Sequence, residues 1–293
     1  MKNSSQSFVV WFAVFATATM AAAVYGQSTN DRASTEQPGP QFVIVNGLKL
    51  HYLDWRGKGQ ALLFLTALGG TPEDFQPLAI HFTDHFHVLG LTRRGQGQSD
   101  KPETGYDTST LVEDIRAFLD LGKIKRVVLV GYSLAGNELT EFAALYPKRV
   151  VKLVYLDAAY DLPENAELGR KAGLDLKFPG ADRATLALIA RSDEYHPDYT
   201  RIRAPALAFF VTYAEAPKSA LWDDATKAKL LAYWNDYGKA YRREQIDRFQ
   251  KDMKNGRVVE LHNTTHGGFV FAKEQQSILI REMRRFLINS DSY

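Results

Sequence analysis

The chain contains 293 residues, of which 45% are hydrophobic and 24% are charged, a composition that allows a large buried core. Lys and Arg number 36 against 34 Asp and Glu, so a net charge of +2 argues against a nucleic-acid partner, which would need clustered basic charge. No cysteine is present, which excludes disulfide scaffolds, thiolate metal sites and a cysteine nucleophile.

The first 26 residues have the features of a secretory signal peptide. Lys2 precedes an apolar run at 8–24, and small residues lead to Gly26. A membrane anchor is the alternative, because a membrane span needs about 20 apolar residues. We expect export to the periplasm or the medium, with no membrane contact beyond export. Residues 27–40, rich in Ser, Thr, Asn, Gly and Pro, are predicted to be a flexible linker, which leaves one domain at 41–293.

Eight short apolar runs follow the linker and predict strands. The first two flank Asn46 and Gly47, a pair typical of a tight hairpin turn. The eight runs are 42–45, 48–53, 61–65, 87–91, 126–130, 152–156, 206–211 and 258–261. The later runs lack polar alternation, which is typical of parallel strands that are buried on both faces.

Helical patterns separate the later strands. Thr110 and Glu113 have the spacing of a capping box at the start of an apolar stripe. A second stripe begins at Leu230 and is weakened in its middle by Gly238, and a third at 278–287 predicts a closing helix. A hairpin followed by strand–helix alternation predicts an α/β fold with a doubly wound sheet.

The most informative segment is Gly131-Tyr132-Ser133-Leu134-Ala135-Gly136, which follows an apolar strand and precedes a helical pattern. It resembles the nucleophile elbow of the α/β-hydrolase fold, Gly-x-Ser-x-Gly, with Ala135 at the second small position. In that elbow the serine lies on a strained turn, and small neighbours prevent clashes. The resemblance implies an eight-stranded, mostly parallel sheet flanked by helices, with Ser133 as the nucleophile.

Two further segments resemble loops of the same family. Residues 62–70 lie where the family has a His-Gly-x-Pro-Gly loop, with Thr66 and Ala67 in place of His-Gly. The resemblance implies that the backbone N–H groups of Leu68 and Leu134 form the oxyanion hole. Residues 90–100 resemble Asp-x-Arg-Gly-x-Gly-x-Ser, in which Arg94 and the glycines brace a tight loop, and Thr92 replaces the usual Asp.

The family order of Ser, acid and then His points to a histidine near the C-terminus. His266 follows the last predicted strand, and His262 is its nearest competitor. In most members the acid follows the seventh strand, where this chain has Ala214 and, one residue later, Glu215. Some branches, including one group of haloalkane dehalogenases, place the acid after the sixth strand. Asp157 lies there and is favoured, with Glu215 as the alternative acid and Asp161 as a third choice.

Two long connections surround the seventh strand. Residues 161–203 lie where the family inserts a small helical cap, and 216–256 form a second helical excursion. Both are rich in aromatic residues, namely Phe178, Tyr195, Trp222, Tyr233, Trp234 and Tyr237. These residues either line an apolar pocket beneath a lid or simply pack the helices.

The resemblance covers about 42–287 and is strongest to capped esterase- or lipase-like members. It implies a carboxylesterase-like serine hydrolase that acts on a small, uncharged substrate through an acyl-enzyme on Ser133. His266 would be the base, and Asp157 would orient it. No metal and no organic cofactor are implied. The alternatives are a cofactor-free haloperoxidase-like or C–C bond hydrolase, and a non-catalytic ligand-binding protein of the same fold.

Overall fold

The computed structural model describes residues 38–174, 180–212 and 223–288. The predicted signal peptide at 1–26 and the linker residues before 38 lie outside the described residues, as do Ala214 and Glu215. Within the described ranges, no helix combines the length and the apolar character that a membrane crossing requires.

A single sheet lies at the centre of the described chain, and each predicted apolar run coincides with one of its strands, although the run at 126–130 begins one residue before its strand. The strands are β1 (Gln41–Val45), β2 (Leu48–Arg56), β3 (Gln60–Leu65), β4 (Phe86–Leu91), β5 (Val127–Tyr132), β6 (Val150–Leu156), β7 (Ala206–Thr212) and β8 (Gly256–His262). Their spatial order is β1-β2-β4-β3-β5-β6-β7-β8. The pairs β1–β2 and β2–β4 are antiparallel, and the other pairs are parallel. The predicted eight-stranded, mostly parallel sheet is therefore confirmed.

Helices cover both faces of this sheet. They are α1 (Gln76–Ala79), α2 (Thr108–Leu121), α3 (Ala135–Leu145), α4 (Leu162–Lys171), α5 (Arg183–Ser192), α6 (Asp224–Tyr233), α7 (Lys239–Asp252), α8 (Gly268–Phe271) and α9 (Lys273–Ile288). Successive β5 side chains enter different cores: Val127 and Leu129 pack with α2, α3 and α7, whereas Val128 and Val130 pack with α1 and α9. Burial on both faces explains why the parallel strands show no polar alternation.

The predicted capping box at Thr110 is wrong. Helix α2 begins three residues earlier, after Asp107, whose carboxylate accepts the backbone N–H of Thr110 at 2.9 Å. Glu113 instead pairs with Arg116 at 2.7 Å. Asp is among the strongest N-cap residues, and its negative charge is stabilised at a helix N-terminus. Asp107 therefore sets the start of the helix.

Gly238 has a packing role in the second apolar stripe. The stripe is continuous from α6 through a π-helical turn at Trp234–Gly238 into α7. A Cβ atom at Gly238 would lie only 2.6 Å from the Trp234 ring. The glycine that was expected to weaken the helix thus makes room for a buried tryptophan.

The segment between β6 and β7 contains α4, α5 and a 3-10 turn at Tyr199–Arg201. Helix α5 contacts the loop that follows β4, where Gln96 Nε2 lies 3.3 Å from Thr185 Oγ1. Helix α4 packs against α6 through a small apolar cluster of Ala166, Leu174, Leu230 and Tyr233. The insertion therefore lies against a loop at the carboxyl end of the sheet, where ligands bind in open α/β folds.

Candidate active site

Ser133 lies at the turn between β5 and α3. Its φ of +57° is in the left-handed region, which is uncommon for a residue other than glycine. The Ser133 N–H donates to the Leu156 carbonyl oxygen at 3.2 Å, which ties the turn to the end of β6. The side chain is only 2% exposed, and no described residue hydrogen-bonds its Oγ. The strained turn therefore presents a buried hydroxyl at the carboxyl end of the sheet.

Close backbone contacts explain the small residues of this turn. A Cβ atom at Gly136 would lie 1.7 Å from the Ala158 carbonyl oxygen, so this position requires glycine. A Cβ atom at Gly131 would lie 2.5 Å from the Leu139 side chain. Ala135, at the second small position of the motif, is accommodated with its methyl group fully buried. The tightest approach is thus one residue later than the resemblance suggested.

His266 and Asp157 are brought together from distant parts of the chain. His266 lies in the loop between β8 and α8, and its Nδ1 is 2.5 Å from Asp157 Oδ2. The side chains are 2% and 0% exposed, respectively. The Tyr132 hydroxyl donates to the His266 carbonyl oxygen at 2.7 Å. Because Tyr132 directly precedes Ser133, this bond places the histidine loop beside the serine turn.

Asp157 is held at the junction of β6 and β7. It has a left-handed φ of +47°, and its N–H donates to the Phe209 carbonyl oxygen at 2.8 Å. Its Oδ1 accepts the Val211 N–H at 2.9 Å. The carboxylate therefore reaches the end of β7, the strand after which most family members carry the acid. Glu215, the alternative acid, lies outside the described residues.

Two residues that were not predicted also contact Asp157. The Tyr160 hydroxyl donates to Asp157 Oδ1, and Arg242 Nη1 lies 3.3 Å from the same oxygen. Burial alone would raise the pKa of Asp157, but the Arg242 charge and the His266 and Tyr160 hydrogen bonds outweigh it and lower the pKa to about 2. Asp157 is therefore a carboxylate at neutral pH. Arg242 lies 85 residues further along the chain, and no local pattern marks it as a partner.

The other candidate histidine, His262, and the third choice of acid, Asp161, have partners elsewhere. His262 Nδ1 lies 2.6 Å from Thr212 Oγ1, and its side chain is exposed. Asp161, the third choice of acid, pairs with His196 at 2.9 Å and with Arg248 at 3.3 Å. Among the described residues, no group of three His, Asp or Glu side chains is arranged to hold a metal ion.

The two predicted oxyanion donors belong to segments that are linked by a buried ion pair. Leu68 and Leu134 are both buried, and Leu134 lies at the start of α3. Arg93 donates to the carbonyl oxygens of Thr66 at 2.8 Å and Ala67 at 3.1 Å. It also forms two bonds, of 2.9 and 2.6 Å, with Glu138 on α3. The pairing of the Leu68 and Leu134 N–H groups remains a prediction, but their supporting segments are rigidly joined.

Arg93, rather than Arg94, contacts the loop after β3. Arg94 binds Asp114 on α2 through two bonds of 2.6 and 2.7 Å and so fastens its own loop to that helix. Thr92, which replaces the family's Asp, is buried with its Oγ1 2.9 Å from His51 Nδ1. In the family motif Arg94 occupies the arginine position, whereas Arg93 occupies a variable position. The motif therefore does not predict the contacts of Arg93.

The aromatic residues of the insertions have mixed roles. Tyr195 donates to Glu141 on α3 at 3.2 Å, and the Tyr233 hydroxyl donates to Asn165 on α4. Trp234 is 4% exposed, whereas Phe178 and Trp222 lie outside the described residues. Tyr195 and Tyr233 therefore anchor helices, as the packing interpretation expected.

Comparisons with known proteins agree with this fold. A family model described as the alpha/beta hydrolase fold matches residues 60–185. The chain is 34% identical over 102 residues to the 2-(acetamidomethylene)succinate hydrolase of Mesorhizobium japonicum, covering 35% of this chain and 37% of that protein. It is 29% identical over 145 residues to a non-heme chloroperoxidase of Streptomyces lividans, covering 48% of this chain and 52% of that protein. The chain thus spans about a third to a half of these relatives.

A solved structure extends the likeness to nearly the whole described chain. The enol-lactonase from Burkholderia xenovorans LB400 superposes with a TM-score of 0.62 at 20% identity, covering 85% of this chain and all of that one. At this identity the match shows a shared fold.

Proposed function

Since the chain belongs to the α/β-hydrolase fold superfamily, we propose that it is a serine hydrolase that cleaves a small, apolar ester or related acyl substrate. The observation that carries the proposal is the buried contact of His266 Nδ1 with Asp157 Oδ2, at 2.5 Å, beside the left-handed turn of Ser133. A serine hydroxyl is activated when a histidine that a carboxylate orients takes its proton, and Ser133, His266 and Asp157 would supply these three groups.

In the proposed reaction, Ser133 Oγ attacks the substrate carbonyl carbon while its proton passes to His266 Nε2. Asp157, already a carboxylate, stabilises the imidazolium through Nδ1. The carbonyl oxygen becomes an oxyanion that accepts the N–H groups of Leu68 and Leu134. His266 then protonates the leaving alcohol, which leaves an acyl-enzyme. Attack by water, with the same proton transfers, releases the acid and restores Ser133.

The proposed substrate class is supported by the neighbours of Ser133 in the chain and by Leu68, the other predicted oxyanion donor. Tyr132, Leu134 and Leu68 are buried next to Ser133 in the chain or on the facing loop. Their apolar surfaces favour an acyl or alcohol group without charge, since burial of an unpaired charge is costly. We therefore place the natural substrate among uncharged esters and lactones.

A second candidate is a cofactor-free haloperoxidase-like activity. The similarity to a non-heme chloroperoxidase favours it. The same acyl-enzyme would be resolved by hydrogen peroxide in place of water, which yields a peracid that oxidises halide outside the site. Acetate-dependent bromination of phenol red by the purified protein with hydrogen peroxide would distinguish this activity from simple ester hydrolysis. The Ser133→Ala variant is the control and should show no bromination.

The proposal is tested by labelling the purified protein with a fluorophosphonate probe and by assaying p-nitrophenyl esters of increasing chain length. We expect stoichiometric labelling that Ser133→Ala abolishes, with turnover highest for short or medium acyl chains. Ser109→Ala, at a surface serine of α2, is the matched control and should label like the wild type. A folded wild-type protein that neither labels nor turns over any ester would instead be a ligand-binding member of the fold.

A further inference from the structure

We propose that Arg242 is a positioning residue for Asp157, acting both directly and through Tyr160 to hold the carboxylate in register with His266. The inference rests on the proposed function, because it assigns a role in the same site. Arg242 lies on α7, in the second insertion, and reaches back to the end of β7. The insertion would then help to build the catalytic machinery as well as cover it.

The contacts of Arg242 converge on one end of its side chain. Its Nη1 donates to the Val211 carbonyl oxygen at 2.9 Å and to the Tyr160 hydroxyl, and lies 3.3 Å from Asp157 Oδ1. Its guanidinium carbon also lies 4.8 Å from the centre of the Tyr160 ring, which adds a cation–π contact. The side chain is only 16% exposed, so these contacts are shielded from water.

Donor and acceptor chemistry sets the direction of the hydrogen bonds in this group. A guanidinium has donors only, so the Tyr160 oxygen must accept from Arg242. The single hydroxyl proton of Tyr160 is then directed to Asp157 Oδ1. Arg242 therefore orients the Tyr160 hydroxyl group, and the hydrogen bond from that hydroxyl orients the Asp157 carboxylate.

The two carboxylate oxygens of Asp157 are consequently distinguished. Oδ1 receives the Val211 N–H, the Tyr160 hydroxyl and Arg242, whereas Oδ2 faces His266 Nδ1. Rotation of the carboxylate would break all the Oδ1 contacts together. Saturation of Oδ1 leaves Oδ2 as the oxygen that orients the imidazole.

Charge gives a second, independent reason for the role. Asp157 is fully buried, and a buried carboxylate needs a compensating charge. His266 supplies no charge while its imidazole is neutral. Among the described Lys and Arg side chains, Arg242 is the one that pairs with Asp157. It therefore compensates the buried charge of the Asp157 carboxylate.

The test compares Arg242→Met with Arg242→Lys and with a matched control, Arg243→Met. Arg243 is the next residue of the same helix, but it is half exposed and pairs with Glu260 on the surface. We expect Arg242→Met to lower kcat for p-nitrophenyl acetate by about 10- to 100-fold with a smaller change in KM, since misplaced catalytic groups lose rates of this order. Arg242→Lys should recover part of the loss, and Arg243→Met should match the wild type.

The pH profile separates positioning from a general structural defect. Loss of Arg242 removes one contribution that lowers the pKa of Asp157, so the carboxylate protonates at higher pH. The ratio of kcat/KM in Arg242→Met to kcat/KM in the wild type should therefore fall as the pH is lowered, because the variant loses the Asp157 carboxylate first. An unchanged kcat and a kcat/KM ratio that does not vary with pH, in a folded variant of a wild type that does label with fluorophosphonate, would overturn the role of Arg242 and leave the proposed function intact.

Proton NMR tests the role of Arg242 without requiring turnover, so this role can be tested separately from the proposed hydrolase activity. The proton shared by His266 Nδ1 and Asp157 should give a far-downfield proton NMR signal, which is assigned by its loss in His266→Ala. We expect the signal to weaken or disappear in Arg242→Met and to persist in Arg243→Met. Should Arg242→Met fail to fold, Tyr160→Phe retains the Arg242 charge and removes only the hydrogen-bond link. An unchanged NMR signal and an unchanged kcat in Tyr160→Phe would contradict the inference. Failure of wild-type labelling would count against the proposed function alone.

Discussion

Arg93 and Glu138 form a buried ion pair that joins the loop after β3 to the helix that follows Ser133. Two bonds of 2.9 and 2.6 Å connect them, and their side chains are 6% and 3% exposed. Arg93 also holds the carbonyl oxygens of Thr66 and Ala67. The pair therefore fixes the distance between the two segments that carry the predicted oxyanion donors.

Substitution Glu138→Gln tests this connection. The variant leaves the Arg93 charge buried without its partner, which costs about 3–5 kcal/mol in comparable buried pairs. We expect lower stability in urea unfolding and a fall in kcat that exceeds the rise in KM. Glu167→Gln, at an exposed pair with Lys171 on α4, is the control and should leave both measurements unchanged. Wild-type kcat in Glu138→Gln would show that the pair does not position the loop.

Substitution Gly136→Ala tests the close approach behind the serine turn. A Cβ atom there would lie 1.7 Å from the Ala158 carbonyl oxygen, so the backbone must shift. We expect the rate of fluorophosphonate labelling to fall at least about 100-fold, because small displacements of catalytic groups have effects of this size. Gly39→Ala, which meets no atom within 4 Å, is the control. Equal labelling rates in the two variants would refute the steric requirement.

Substitution Asp157→Asn tests the identity of the acid. Replacement of the orienting Asp by Asn lowers kcat by about 10⁴ in a well-studied serine protease, and we expect a loss approaching that size here. Glu215→Gln should retain turnover of p-nitrophenyl acetate. The assignment to Asp157 is wrong if only the Glu215 variant loses activity.

Stability at acid pH should also depend on Asp157. Its pKa of about 2 in the folded protein lies below the usual 3.8, so the carboxylate stabilises the fold fully above about pH 4. This contribution, on the order of 2 kcal/mol, is lost as the pH falls through 2. Urea unfolding between pH 5 and pH 2 should therefore show a steeper loss in the wild type than in Asp157→Asn. Parallel curves would mean that Asp157 has the same affinity for protons in both states.

Local sequence patterns were sufficient to predict the strands and the strained turn at Ser133. Apolar runs marked each strand, because burial on both faces removes polar residues from them. The left-handed turn at Ser133 was anticipated because its small neighbours are consecutive in the chain. In both cases the physical cause and its signature lie within about ten residues of each other.

Contacts between distant segments could not be predicted in this way. Arg242 and Arg93 meet Asp157 and Glu138 across 85 and 45 residues, respectively, and an arginine on a helix or loop is ordinarily a surface residue. The error at Thr110 had a different origin. Asp107 and Thr110 are both acceptable N-cap residues, and the choice depends on which side chain reaches the free N–H groups.

Strand β7 serves the proposed site with main-chain atoms. Phe209 offers its carbonyl oxygen to the Asp157 N–H, and Val211 offers its N–H to Asp157 Oδ1 and its carbonyl oxygen to Arg242. Every amino acid except proline supplies the same two groups. Substitutions of the buried Phe209 and Val211 side chains therefore act on core packing and leave the chemical groups of these main-chain bonds to Asp157 in place. The packing of this strand and the polar contacts of Asp157 thus depend on different atoms of the same residues.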